Sequence, residues 1–265
     1  YPLRRQRQMC IRDSVSLDCG HEAAMRAVKF LSLSPAVFFF VAPMSESLFL
    51  LCTLGCMYLV RRDKMLPACL LGAYAAFTRS LGVVLIVPVV FELVQRRAKL
   101  KDYLCALIIP LGFAAYCLVN YTVSGDAFKF MQYQREHWNQ QLGWFFNTAA
   151  YQTENAIYSA SGNSVNFFGL WLPNLLAQAL SLVLMLFAVK RLRSSYTAYF
   201  LAYFIVAVGA TWLLSAPRYL AAAFTVPTAL AVITHDRRVD WCLTTLSVLA
   251  GAVYLCEFVL RWQVW

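Results

Sequence analysis

YLCALIIPLGFAAYCLVNYTVSG, residues 103–125, runs for 23 positions without an Asp, Glu, Lys or Arg. A helix needs about 20 apolar residues to cross the hydrocarbon of a bilayer, so this run predicts a membrane-crossing helix. Pro110 and Gly112 within it are expected to kink it. The same reading extends along the chain: charge-free runs cover 155–189, 194–217, 219–234 and 241–256, of 35, 24, 16 and 16 residues. Of the 265 residues 61% are apolar and 14% charged, whereas ordinary soluble domains are roughly 45–50% apolar. The fold class that follows is all-α, a polytopic transmembrane helical bundle. Composition excludes a soluble enzyme, a disordered chain and a disulfide scaffold, and the continuous runs exclude the alternating pattern of a transmembrane β-barrel.

A formal net charge of +10 raises the question of nucleic acid. The placement of the charge answers it. Twelve of the 23 Lys and Arg residues fall in four short clusters between apolar runs: Arg61, Arg62 and Lys64; Arg96, Arg97, Lys99 and Lys101; Lys190, Arg191 and Arg193; Arg237 and Arg238. Basic loops stay cytoplasmic, so these four are assigned to one side and the partner they imply is the lipid bilayer, not nucleic acid. Eight or nine crossings follow. Only Arg79, Lys129, Arg135, Arg218 and Arg261 lie on the other side. The stretches 66–78 and 81–93 are short for spans and meet at Arg79-Ser80, which predicts half-embedded helices whose turn is buried in protein or lines a watery cavity. Residues 120–170 form a large, aromatic-rich outside region.

Of the nine cysteines, seven lie inside apolar runs and read as small buried hydrophobes. Cys52 and Cys56 share a helix face, yet no second pair completes a zinc set. Residues 1–14, YPLRRQRQMCIRDS, have no apolar core of the kind a signal peptide needs. They resemble translated sequencing-adapter sequence, so the native domain is expected over 15–265, as part of a longer protein. No internal repeat is visible.

Ionisable groups near the membrane are functional candidates, because burying them unpaired is costly. Glu46, flanked by Ser45 and Ser47, reads either as a helix-start carboxylate with serine caps or as the mouth of a substrate cavity. Arg79, beside Ser80 and without a sequence-local acid, reads either as a phosphate ligand or as half of an ion pair with an acid such as Glu46. Arg218, followed by Tyr219, reads either as a third wall of that site or as an interfacial arginine. In the outside region, Gln134-Arg135-Glu136-His137-Trp138-Asn139 gathers acid, imidazole, indole and amide, and Glu136, His137 and Trp138 are candidate substrate contacts. Glu136 and His137 point to different faces of a helix, so no acid/base pair is implied.

Three motifs carry a resemblance: Ser34-Pro35-Ala36-Val37-Phe38-Phe39 leading to Pro43-Met44-Ser45-Glu46-Ser47-Leu48-Phe49; Thr78-Arg79-Ser80-Leu81-Gly82; and Ser215-Ala216-Pro217-Arg218-Tyr219. Together they resemble the PIG-V-type mannosyltransferases, over roughly Val15 to the C-terminus. The resemblance implies a glycosyltransferase-C-like fold that moves a hexose, with inversion, from a polyprenyl-phosphate donor to a hydroxyl of a glycan or glycolipid acceptor. It places the site on the extracytoplasmic face of a bacterial plasma membrane, or of the endoplasmic reticulum in a eukaryote. The principal catalytic aspartate of that class lies in a first outside loop, expected upstream of Tyr1, so the chain by itself is expected to be inactive. No cofactor is required by this reading, although a divalent cation is compatible with it. Met44 stands where the family pattern suggests Tyr. The rival classes are a multi-pass transporter or lipid flippase, for which an inverted repeat upstream would speak, and a structural membrane subunit indifferent to mutation of the charged turns.

Overall fold

The computed structural model describes residues 2–40, 44–138, 145–209 and 215–261, and every regular element among them is helical. In chain order these are α1 (Pro2–Ser32), a 3-10 turn (Val37–Phe40), α2 (Glu46–Arg61), α3 (Met65–Thr78), a 3-10 segment (Ser80–Leu85), α4 (Ile86–Gln95), α5 (Leu100–Ala106) and α6 (Ile108–Ser124). After them come α7 (Lys129–Trp138), α8 (Phe145–Gly162), the short α9 (Ser164–Asn166), α10 (Leu172–Ala188), α11 (Ser194–Gly209), α12 (Ala216–Ala222), α13 (Thr225–Ile233) and α14 (Arg237–Val259).

By length and apolarity, Leu100–Ser124, Ser164–Ala188 and Arg237–Val259 are each able to cross a membrane, and α12 with α13 makes a fourth candidate bent by 75°. That bend departs from the single span expected over 219–234. Pro227 explains it: the ring has no N–H to donate and crowds the carbonyl four residues back, and Ala223 accordingly leaves the helix with an extended backbone. Pro110 acts more mildly on the first-quoted run: α5 and α6 are interrupted only at Leu107, which keeps right-handed helical angles (φ −67°, ψ −11°). The two half-length helices expected around Arg79 are α3 and the Ser80–Gln95 pair, with Arg79 extended between them (φ −147°, ψ 132°).

The core gathers around α11, which packs on α4 and the Ser80–Leu85 segment and reaches α2 through Tyr203, 6.3 Å from the Phe49 ring. Tyr196, Tyr199, Phe200 and Tyr203 recur at helical spacing and are fully buried, against the equally buried Phe49, Leu50 and Met57. Helix α3 crosses α6 more closely than side chains allow, at Gly112 and Ala73. Helix α1 is a hairpin in disguise. Gly20 breaks it with φ 81° and ψ 169°, and Gln8 Nε2 donates to Ser32 Oγ at 2.9 Å. A straight helix would hold those residues about 36 Å apart. The first arm buries Ile11 and Val15, so part of the 1–14 stretch packs into the core.

The basic clusters converge at one end of the bundle. Arg61 and Arg193 both meet Asp18, at 2.5 and 3.6 Å, and Arg193 also pairs with the buried Glu92, which accepts from Ser195 Oγ at 2.5 Å. Arg96 bonds Asp63, and Arg191 donates to the carbonyl of Val232 at 3.0 Å and contacts His235 at 2.7 Å. Asp18 and Glu92 were not foreseen as partners, because sequence separation hides them. If this end is cytoplasmic, a single thiol introduced at position 191 should react with an impermeant maleimide only from the inner side. Strong labelling from outside would invert the topology.

Candidate functional site

At the opposite end of α2, about 22 Å along the helix from Arg61, Glu46 opens the first turn. It is fully buried. Its Oε1 accepts from Arg79 Nη1 at 2.5 Å and from Nε of Arg218. Three turns from distant parts of the chain therefore meet at one oxygen: the start of α2, the break between α3 and its 3-10 neighbour, and the first turn of α12. Oε2 of Glu46 is buried too, and no donor reaches it among the described residues. Each guanidinium lies near an aromatic face. The Arg79 Cζ is 4.8 Å from the ring centroid of Tyr219, and the Arg218 Cζ is 5.3 Å from that of Phe39. Tyr219 is fixed in turn by Tyr203, whose hydroxyl donates to the Tyr219 carbonyl at 2.9 Å.

The arrangement leaves one net positive charge. Arg79 uses Nη1 and Arg218 uses Nε for the carboxylate, while the remaining N–H groups of both meet no partner among the described residues. Both arginines line a cavity of about 640 Å³ together with Ser45, Ser80 and Tyr219. One wall is apolar, with Phe77, Leu81, Val83 and Val206. The far side is helix α7, which contributes Phe130, Met131, Gln134 and Arg135. The Phe130 ring stands edge-on to Tyr116 at 5.2 Å, which seats α7 on α6. A cavity with an apolar wall at one side and two anchored guanidiniums at the other suits an anion on a hydrophobic stem.

Of the residues singled out in the sequence, Ser45, Glu46, Arg79, Ser80, Arg218 and Tyr219 thus come together. Arg79, without an acid nearby in the sequence, pairs with Glu46 as the ion-pair reading has it, and the helix-start reading of Glu46 holds without serine caps: Ser45 caps nothing. Ser47 instead donates to the Phe40 carbonyl at 2.6 Å and accepts from Arg7 at 2.5 Å, away from the cavity. Glu136 and His137 are corrected in position. Both are exposed; Glu136 accepts from Gln132 at 2.7 Å on the outer face of α7, and His137 stacks on Tyr133 at 6.1 Å. Helical geometry accounts for Glu136, since residues 130, 131, 134 and 135 share a face that it cannot join, whereas His137 lies at the edge of that face and stacks on Tyr133 instead. The signal for Gln134 and Arg135 was present in that spacing and was passed over for the more reactive neighbours. The side chain of Trp138, and Asn139 entirely, lie outside the described residues. Among the described residues no three His, Cys, Asp or Glu gather where they could hold a metal ion.

The family model described as Mannosyltransferase (PIG-V) matches residues 7–134, a stretch that begins inside the adapter-like segment and includes Glu46, Arg79 and the cavity face of α7 up to Gln134. No curated protein and no solved structure matches the chain. The helical, membrane-suited architecture agrees with the matched family. Over residues 7–134 the chain is therefore similar to the PIG-V-type mannosyltransferases, a family of membrane glycosyltransferases.

Proposed function

We propose that the cavity binds a polyprenyl-phosphate-linked sugar and that the protein transfers its hexose to a hydroxyl acceptor on the extracytoplasmic side. The observation that carries this reading is the shared carboxylate: Glu46 holds Arg79 and Arg218 side by side with their remaining N–H groups turned to the cavity. A phosphodiester carries one negative charge, and the triad has one positive charge to offer. The apolar wall of Phe77, Leu81 and Val83 takes the first carbons of the lipid stem. The acceptor comes from beneath α7, where Gln134 and Arg135 provide donors. Its hydroxyl oxygen bonds to the sugar C1, the bond from C1 to the phosphate oxygen breaks, and the electron pair leaves with the phosphate. The growing charge there is met by groups already in place, which is the economical form of electrostatic catalysis. The acceptor proton passes to a carboxylate base that the family resemblance puts in an earlier outside loop.

Arg79→Lys tests the reading. An ammonium cannot satisfy Glu46 and phosphate through one planar fork, so sugar transfer by the full-length protein should fall about 100-fold. Folding, followed by thermal unfolding in detergent, should change little because the charge is kept. Near-normal transfer of a radiolabelled sugar from the lipid-linked donor would leave Arg79 with a purely structural ion pair.

A further inference from the structure

Helix α12 is only seven residues long, begins at Ala216, and carries Arg218 as its third residue. The first turn of any helix leaves backbone N–H groups without intrahelical acceptors. Here the local candidate, Ser215, makes no side-chain cap. The acceptor comes from another helix instead. Asn174, in the first turn of α10, accepts the Ala216 N–H on its Oδ1 at 2.7 Å, and both residues are fully buried. The Asn174 Nδ2 has no partner among the described residues. A buried amide that makes one bond and leaves its own donors unmet is an uneconomical packing residue, so its one bond is the reason for its presence.

We propose that Asn174 is a positioning residue for Arg218: a cap supplied by α10 that fixes where α12 begins and thereby aims the guanidinium at Glu46 and the cavity. The geometry leaves little slack. Two residues separate the capped N–H from Arg218, and Pro217 between them has a fixed φ, so displacement of Ala216 is passed on to Arg218. The proposal rests on the phosphate reading of the cavity only for its functional consequence.

Two measurements on the full-length protein test it. In the first, Arg218 modification by phenylglyoxal is followed by peptide mass spectrometry, with the exposed Arg135 as internal reference. Asn174→Ala should speed the modification of Arg218 several-fold and leave Arg135 unchanged. Asn174→Asp, which keeps the accepting oxygen, should restore the slow rate. In the second, affinity for farnesyl phosphate is measured by tryptophan fluorescence. Asn174→Ala should weaken it about five- to tenfold, Arg218→Ala should weaken it further, and the double variant should match Arg218→Ala alone. An unchanged Arg218 modification rate in Asn174→Ala, or additive losses in the double variant, would overturn the positioning role. If instead Arg79→Ala and Arg218→Ala leave farnesyl phosphate binding intact while Asn174→Ala still exposes Arg218, the phosphate reading fails and the positioning role stands.

Discussion

Glu46→Gln should abolish more function than any other single change in the cavity, with sugar transfer reduced on the order of 1,000-fold. Glutamine keeps the size of the side chain and one accepting oxygen but removes the one negative charge that, among the described residues, pairs with Arg79 and Arg218, whose side chains are 11% and 27% exposed. Two guanidiniums so little hydrated cannot stay side by side without it. Removing one partner of a buried ion pair costs about 3–5 kcal/mol, and here one partner serves two. Arg218 is the more exposed of the two, so it should swing away while Arg79 stays over Tyr219. Affinity for the lipid-linked donor and turnover should then fall together, with thermal unfolding shifted downward. Glu46→Asp keeps the charge at a shorter reach and should recover part of both. Wild-type transfer by Glu46→Gln would show that the clamp is dispensable and that the arginines meet phosphate without it.

The largest effect on stability is expected far from any charge. At Gly112 an added Cβ would sit 1.8 Å from the Ala73 carbonyl oxygen and 2.5 Å from its carbon. Backbone stands on both sides of that contact, so no rotamer relieves it. Gly112→Ala should therefore separate α3 from α6 and cost at least about 3 kcal/mol, seen as loss of folded protein after detergent extraction. Close approach of this kind is how membrane helices associate when hydrocarbon surrounds them and apolar burial adds little. Gly162 is the internal control, since nothing lies within 4 Å of a Cβ there and Gly162→Ala should be tolerated. A well-folded Gly112→Ala protein would mean that α3 and α6 meet less closely than described.

How much of this was legible beforehand depends on the range over which each residue acts. Apolar runs and basic clusters are local signals, so α3, α6, α10, α11 and α14 and the gathering of basic loops at one end of the bundle followed from the sequence. The bend before α13 was missed although Pro227 announces it, whereas the interruption at Leu107 lies three residues before the kink expected at Pro110. Partners were illegible. Glu46 lies 33 residues from Arg79 and 172 from Arg218, and no pattern in one sequence states that three turns share an oxygen. Charge made those three visible individually. Asn174 has none, and it emerged only from its bond to Ala216. On α7 the sequence favours the reactive Glu136 and His137, while the residues that line the cavity are their neighbours Gln134 and Arg135.

Helix α2 is tied at both extremities, Arg61 to Asp18 at one and Glu46 to two arginines at the other. A rod pinned at two points cannot ratchet along its own axis, because a slip of one turn, about 5.4 Å, would break both attachments together. The distance from the basic end to the Glu46 arginine pair is therefore a property of the chain and not of the surrounding lipid. In a thicker or thinner bilayer the annulus must deform to meet the protein, and the cavity beside Arg79 and Arg218 keeps its place along the rod, like a mark on a gauge.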